Sequence, residues 1–467
     1  MKLRLLISIH CLLWSLQVSA NTAPKTDPVQ PLHLNTHQIS VQAKQRSVAV
    51  AQRWQPSKHT VSQLLTTPMD ATVNIQSFPD VIRDVADAVH LKSHQAVGLT
   101  RYEIMAPGAK ITALTDQGTV TLPPPNLLVY GDTAQGVSLV VNPNNGDVSG
   151  LINQAGVTMA ITGNLHQGID FQPTDSGVPT DQASQQCQTA LADQPGDPLA
   201  DLQVDLMSQT LSPSPRGALD YQAVVAVDTD NEWMAGKGNN TTTATNYIVG
   251  LFSDMNVFYE RDLSLRLLIG NVNLRIAADP FPTRSDIFDS LNDFGEYWRV
   301  NNDAISRDFV VLLSGQNIAN FSFSGIAWIN QYCENGFLQA GGTETVGSYS
   351  VNRIGSSLST GFTAQFVGHE LGHNMGSPHT HCYVPAVDQC FNGEGGCYGG
   401  AVSCPGGSAG TIMSYCHFGA PNGADCGLND DEFHPTVITL LDTRIVSNFP
   451  SCIEPLSADL IFANSFD

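Results

Sequence analysis

Residues 366–379 of this chain read FVGHELGHNMGSPH. The first two histidines of this run, His369 and His373, are four positions apart, so on a helix they project from one face and can share a tetrahedral metal ion. Glu370 follows the first histidine and can face a water molecule on that metal. The spacing therefore predicts a helix that carries a zinc site with a carboxylate beside it.

The third histidine of the run needs a sharp turn to reach the same metal. A straight helix cannot bring His379 into a site made by the first two histidines. Gly376 can adopt the positive φ that such a turn requires, and Pro378 disfavours a return to helix. His381 is the alternative third ligand, but the G-x-x-H spacing favours His379.

A second feature lies downstream, where residues 410–415 read GTIMSY. Met413 stands where a methionine turn beneath the zinc is expected, and it would give the histidines an apolar floor without binding the metal. A lone methionine is more simply explained as core filling. The histidine pattern upstream is what favours the methionine turn here.

Residues from about 221 to 452 resemble the catalytic domain of the adamalysin (reprolysin) branch of the metzincin zinc proteases. The matching segments are 366–379, 410–415 and the closing run FHPTVITLLD at 433–442. The resemblance implies an α/β (α+β) fold with a five-stranded sheet, a zinc-site helix, and a substrate peptide bound along an edge strand, for which 323–328 is the candidate. Strand-like and helix-like segments alternate in this region, which predicts a mostly parallel sheet.

The resemblance also implies a zinc metalloendopeptidase that hydrolyses peptide bonds in proteins. One Zn²⁺ would be bound by His369, His373 and His379, and Glu370 would be the general base for a metal-activated water. The chain departs from the adamalysin pattern at Thr380, where that pattern has Asp. It also has Tyr415 where astacins and serralysins place a tyrosine, so Tyr415 is a candidate fifth ligand or oxyanion donor, or else a plain structural tyrosine.

Composition patterns divide the chain into four parts. Residues 1–20 have a basic start, a short apolar stretch and small residues before position 21, as a signal peptide does. Residues 21–216 are the predicted propeptide, with a β-rich part at about 71–172 and a polar linker at its end. Residues 217–452 form the predicted catalytic domain. Residues 453–467 are a C-terminal tail, which is similar to tails of some exported Gram-negative bacterial proteins.

Cysteine usage indicates an oxidising compartment. Cys11 would leave with the signal peptide, and Cys187 stands alone in the middle of the chain. A thiolate is a good zinc ligand, so Cys187 is a candidate cysteine switch that keeps a zymogen inactive; the other interpretation is a buried or intermolecularly paired cysteine. The remaining cysteines are predicted to form four disulfides, with connectivity left open, because no C-x-x-C pair indicates a zinc finger. They are Cys333, Cys382, Cys390, Cys397, Cys404, Cys416, Cys426 and Cys452.

Net charge and hydropathy limit the classes of partner that the protein can bind. The net charge of −22 disfavours nucleic acid and anionic membranes, because the surface field repels them. After the signal peptide, no segment is long and apolar enough to form an integral membrane span. We therefore expect a secreted, extracellular enzyme, of bacterial origin by its tail, that acts on protein or peptide substrates; the sequence does not predict its oligomeric state. Calcium would suit such a protein, but no aspartate-rich loop motif supports a calcium site.

Two other functions stay open on the sequence. The domain could be a catalytically idle binding module that retains zinc for structure, although a purely structural site has no need of Glu370 beside an open position. The β-rich part upstream could instead be a carbohydrate or surface adhesin that persists in the mature protein.

Overall fold

The structure is a computed structural model. It describes residues 52–83, 89–154, 157–174, 185–190, 219–316, 323–339, 342–354, 360–407, 409–427 and 429–456. The predicted signal peptide lies outside these ranges, as does the predicted tail from residue 457 onward. The described residues all belong to one compact unit. None of the described helices is long and apolar enough to span a membrane.

The N-terminal segment, residues 52–174, contains an antiparallel sheet. Its order in the described residues is β1-β10-β9-β8-β7-β6-β3-β2. Turns with Asn and Gly connect several of these strands, as at residues 142–146 between β7 and β8. The strands are β1 Gln52–Trp54, β2 Thr72–Arg83, β3 Val89–Tyr102, β6 Leu128–Asp132, β7 Val137–Val141, β8 Asp147–Gln154, β9 Val157–Asn164 and β10 Gly168–Pro173, and helix α1 is Lys58–Thr66.

A second sheet runs through residues 219–456, which include almost all of the predicted catalytic domain and are called the catalytic segment below. Its central strands β13-β12-β14-β18 are parallel, and β15 pairs antiparallel with β18. The hairpin of β4 and β5 from the N-terminal segment extends it beyond β13, and β11 extends it beyond β15. The strands are β4 Ile111–Thr115, β5 Gly118–Leu122, β11 Gln185–Ala190, β12 Tyr221–Thr229, β13 Leu265–Arg275, β14 Phe309–Ser314, β15 Phe323–Trp328, β18 Tyr349–Arg353 and β19 Glu454–Pro455, which pairs with β12. A separate small hairpin joins β16 Phe337–Leu338 to β17 Thr345–Val346.

Four of the five described α-helices of the catalytic segment begin at residues whose chemistry fits a helix start. Asn240 caps helix α3 by accepting a hydrogen bond from Thr243, and Asp286 caps α4 in the same way. His434 caps α6, whose first residue is Pro435. The helices are α2 Asn231–Gly236, α3 Thr241–Leu263, α4 Ile287–Asn301, α5 Thr360–Asn374 and α6 Pro435–Ser447.

The central strands are buried on both faces, which explains their continuous apolar runs. Alternate residues of β14 point to opposite sides: Val311 packs in the core with α3 and α5, and Val310 packs in the core with α4. The mixed α/β fold predicted from the sequence is confirmed. Strand β15 packs against helix α5, and just beyond the strand the N–H of Asn330 donates to the His373 carbonyl at 3.0 Å, so the candidate edge strand and the histidine helix are neighbours.

Candidate active site

Helix α5 presents the first two histidines of the motif at its C-terminal end. His369 and His373 are both buried, and their Nε2 atoms are 3.0 Å apart. The helix ends at Asn374, directly after the second histidine. The i, i+4 spacing thus brings two ring nitrogens to one point, as the sequence predicts.

A glycine turn brings in the third histidine. Gly376 has φ = 109°, the positive value that the sequence analysis required of it. Its N–H donates to the carbonyl of His373 at 2.8 Å, which closes the end of the helix. Beyond this turn, Nε2 of His379 lies 3.1 Å from Nε2 of His373.

The other ring nitrogen of each histidine is held by an acceptor. Nδ1 of His369 donates to the Ile412 carbonyl at 2.6 Å, and Nδ1 of His373 donates to the Ser377 carbonyl at 2.7 Å. Nδ1 of His379 donates to the Glu394 carboxylate at 2.7 Å. With the proton fixed on Nδ1, each Nε2 keeps its lone pair for a metal.

The geometry and the charge state of these imidazoles fit a zinc ion. Three nitrogens at about 2.0–2.1 Å from one tetrahedral zinc are about 3.3 Å from each other, close to the separations seen here. Burial lowers the pKa of His369 to about 3 and also lowers the pKa values of His373 and His379. The three rings are therefore neutral at ordinary pH, which is the form that binds metal.

Glu370 lies on the same helix, fully buried, against the backbone of β15. A methyl group added at Gly325 of β15 would collide with the Glu370 carboxylate. The edge strand therefore needs glycine at this position for the carboxylate to sit beside it. Gly325 cannot be recognised from the local sequence, because its partner Glu370 is far away in the chain.

Met413 is fully buried beneath the helix that bears the histidines. A Cβ added at Gly372 would lie 2.6 Å from the Met413 sulfur, so the sulfur fills the space that this glycine leaves. The carbonyl of Met413 accepts a hydrogen bond from the N–H of Thr380 at 3.0 Å. The floor role of Met413 remains a prediction that this packing supports.

Thr380, the departure from the adamalysin pattern, lies at the start of a small polar network. Its hydroxyl is 3.0 Å from the Ser414 hydroxyl, which donates to the Asp388 carboxylate at 2.7 Å. Asp388 is thus connected to Thr380 and the methionine turn by hydrogen bonds through the Ser414 hydroxyl. Nothing in the local sequence around Asp388 marks this role.

Tyr415 lies among the aromatic rings of the site. The centre of its ring is 4.0 Å from that of His379, and it stacks on His369 with centroids 6.1 Å apart. This packing places the tyrosine at the histidine cluster. Its role as fifth ligand or oxyanion donor remains a prediction.

Glu394 is the main functional residue that the sequence analysis missed. The same carboxylate oxygen that accepts from His379 also accepts from Nε2 of His381 at 2.9 Å. Burial raises the pKa of Glu394, but its interactions with His379 and the hydrogen bond from His381 outweigh burial and bring it below its ordinary value. His381 is thus bonded to this carboxylate, and His379 is the residue that joins the other two histidines.

The described residues contain four disulfides, the number that the sequence predicts, and three of them lie in the loops after the histidine motif. The Cys382–Cys397 bridge closes the loop that carries Glu394. The described bridges are Cys333–Cys452, Cys382–Cys397, Cys390–Cys416 and Cys404–Cys426. The Cys382–Cys397 bridge thus anchors the loop that bears Glu394 three positions after the third histidine.

Strand β11 brings the backbone of Cys187 to the candidate active site. The strand runs parallel to β15, with Cys187 opposite Gly325, the residue that contacts Glu370. Residues 173–219 have the composition of a polar linker, which does not predict this strand. Cys187, the candidate switch residue, is thus paired with the residue of β15 that packs against Glu370.

A comparison with known protein families agrees with the site. Residues 220–424 match the family Reprolysin_5, described as metallo-peptidase family M12. The match covers the histidine helix, the glycine turn, the methionine turn and the loop with Glu394. Residues 220–424 therefore carry the sequence pattern of a reprolysin-like metallopeptidase domain.

Proposed function

We propose that the protein is a secreted zinc endopeptidase, made as an inactive precursor, that cleaves peptide bonds within proteins. The observation that carries this proposal is the convergence of three neutral imidazoles, on His369, His373 and His379, with Glu370 beside them. The match to a metallopeptidase family supports proteins as substrates. The four described disulfides support an extracellular location.

The residues divide the chemistry among them. Zinc, when bound by the three histidines, supplies a Lewis acid that polarises water and the scissile carbonyl. Glu370 accepts the proton of the attacking water and passes it to the nitrogen of the leaving amine. Met413 and the acceptors of the three Nδ1 protons hold the imidazoles in place, so that the site does not have to reorganise during the reaction.

Strand β15 is the surface on which an extended substrate would lie. Its inner edge pairs with β18, and β11 of the same chain pairs with its outer edge. A peptide that adds a strand to a sheet edge takes its affinity from backbone hydrogen bonds and its specificity from alternate side chains. In the uncut chain β11 occupies that edge, and we assign to Cys187 the role of an extra metal ligand that blocks access of water.

Removal and return of metal test the function. We would place specific protease sites in residues 175–184 and 191–216, cut the chain at both, and follow the hydrolysis of a denatured protein substrate. We expect hydrolysis that stops with EDTA and returns with Zn²⁺, while the variant His373→Ala fails to recover because it lacks a ligand. Hydrolysis that EDTA does not affect, or none in the zinc-loaded cut protein, would overturn the proposal.

A further inference from the structure

The N-terminal segment is joined to the catalytic segment by a backbone ladder. Strand β4 pairs parallel with β13, from Ile111 opposite Val272 to Leu114 opposite Arg275. The ladder along β13 continues before β4 begins. The N–H of Ile269 donates to the Ile104 carbonyl, and the Ile269 carbonyl accepts from the Ala106 N–H, each at 2.8 Å. The N-terminal segment thus satisfies backbone groups of β13 that would otherwise form an open sheet edge.

The two segments also share one hydrophobic core. Five buried residues of the N-terminal segment pack in the same cluster as helix α3 and the inner face of the catalytic sheet. The side chains of β7 divide between two cores, since Val140 belongs to this shared cluster and Val141 to the core of the N-terminal sheet itself. The five residues are Tyr102, Ile104, Ile111, Val129 and Val140.

Polar contacts surround this shared core. Ser138 donates to the buried carboxylate of Asp254 on α3 at 2.7 Å, and Thr133 donates to Glu260 at 2.7 Å. Arg261 of α3 donates to the side-chain carbonyl of Asn153 at 2.9 Å. Separation of the segments would leave these buried groups without their partners and would require them to be rehydrated.

Strand β11 is a much smaller element. It has six residues and pairs with β15, on the opposite edge of the catalytic sheet from β4. A short peptide on one sheet edge dissociates readily once it is free in solution, whereas a segment with its own core and a shared one does not. Within the predicted propeptide, residues 52–174 are therefore bound to the catalytic segment much more strongly than β11 is.

We propose that residues 52–174 remain bound to the catalytic segment as a non-covalent subunit after the connecting chain is cut, and that β11 alone is released. The release of β11 as the activating event rests on the proposed peptidase function; the retention of residues 52–174 does not. Full activation then takes a cut on each side of β11. A single cut after β11 leaves it attached to the docked subunit, at a high effective concentration beside β15.

The test uses the full chain with one or two inserted protease sites. One form is cut only within 191–216, and the other is cut there and within 175–184. After native size-exclusion chromatography we would identify the chains in each peak by mass and measure hydrolysis of a quenched peptide library. We expect the N-terminal fragment to co-elute with the catalytic fragment in both forms, with the β11 peptide lost and hydrolysis increased at least about tenfold only in the doubly cut form.

A pair of neighbouring valines gives a matched control. Val140→Ala removes methyl groups from the shared core and is expected to raise the dissociation constant of the cut subunits by roughly tenfold or more. Val141→Ala makes the same change in the separate core of the N-terminal sheet, and it is expected to lower the melting temperature of that fragment with much less effect on the dissociation constant.

The outcomes separate the inference from the proposed function. Elution of the N-terminal fragment apart from the catalytic fragment at micromolar concentration would overturn the inference, whatever the activity. Retention of the fragment without hydrolysis in the doubly cut, zinc-loaded form would support the docking and overturn the peptidase proposal. Full hydrolysis after the single cut, with the fragment retained, would overturn the two-cut requirement.

Discussion

Glu394 accepts a hydrogen bond from Nδ1 of His379 at 2.7 Å, so a carboxylate in a disulfide-closed loop orients the third histidine of the site. A carboxylate behind a ligating histidine fixes the tautomer and the direction of the ring. We place Glu394 as a positioning residue for the metal site, since its contacts are with His379 and His381.

Glu394→Gln should therefore weaken zinc binding by about 10–100-fold without unfolding the protein. The measurement is the zinc dissociation constant by competition with a chelator, together with the absorption spectrum of the cobalt-substituted protein. Glu394→Asp should recover part of the affinity, and Glu232→Gln, an exposed position on α2, is the control. Zinc affinity and a cobalt spectrum both equal to those of the wild type would contradict this role.

Gly325→Ala should lower kcat while zinc stays bound. The new methyl group would collide with the Glu370 carboxylate, so the base would have to move from its place beside the edge strand. A loss of about 10²-fold in kcat is expected, as for other small displacements of a catalytic group. Gly399→Ala is the control, because no atom lies within 4 Å of the added Cβ there. An unchanged kcat in the zinc-loaded Gly325 variant would show that Glu370 does not need its observed position.

Cys187→Ser should raise the activity of the uncut chain. Cys187 lies opposite Gly325 in the β11–β15 pair, and a hydroxyl is a far weaker zinc ligand than a thiolate. The cobalt-substituted uncut wild type should show thiolate-to-cobalt charge-transfer absorption, which the Ser variant should lack. Gln188→Ala in the same strand is the control. If the wild type shows no such absorption, the inhibition comes from strand pairing alone.

The binding of the N-terminal subunit should weaken as the pH rises from about 5 to 8. Burial raises the pKa of Asp254 to about 7, an effect that hydrogen bonds from Thr360 and Ser138 partly offset and that the nearby Asp431 carboxylate reinforces. In the separated state we expect water to reach Asp254 and its pKa to return toward the ordinary value of 3.8. In this pH range the docked state therefore binds more protons than the separated state. The stability of the docked state relative to the separated one is greatest at low pH, and it falls as the pH rises until the pH exceeds the pKa of Asp254 in the docked state.

The measurement for this prediction is the dissociation constant of the doubly cut protein between pH 5 and pH 8. An increase of at least about tenfold is expected, because one pKa unit corresponds to a tenfold change. Asp254→Asn should flatten the profile, whereas Asp289→Asn on α4, remote from the N-terminal segment, should leave it unchanged. A flat profile in the wild type would mean that Asp254 does not gain a proton on docking.

The local features of the site could be predicted from the sequence. The alternation of strand-like and helix-like segments follows from apolar periodicity, and it appears in the structure as the order β12, α3, β13, α4 and β14. The positive φ of Gly376 follows from the need to bring a third histidine back toward the first two. These inferences succeed because each depends on a few neighbouring residues.

The features that the sequence could not predict depend on contacts between residues that are far apart along the chain. The partner of Glu394 is fifteen positions away across a loop with little periodicity, and Asp388 reaches the methionine turn only through Ser414. Strand β4 pairs with β13 about 160 residues later in the chain, and the composition around β11 is that of a linker. Register between such segments depends on the tertiary fold, which local propensity does not determine.

The most direct test of the central claim is the rate of peptide-library hydrolysis by the doubly cut protein and its Glu370→Gln variant, with zinc content measured on the same samples. The account predicts about one zinc per chain in both proteins and a loss of at least about 10⁴-fold in hydrolysis by the variant, because the general base is gone. Hydrolysis by the zinc-loaded Glu370→Gln variant at the rate of the wild type would contradict it.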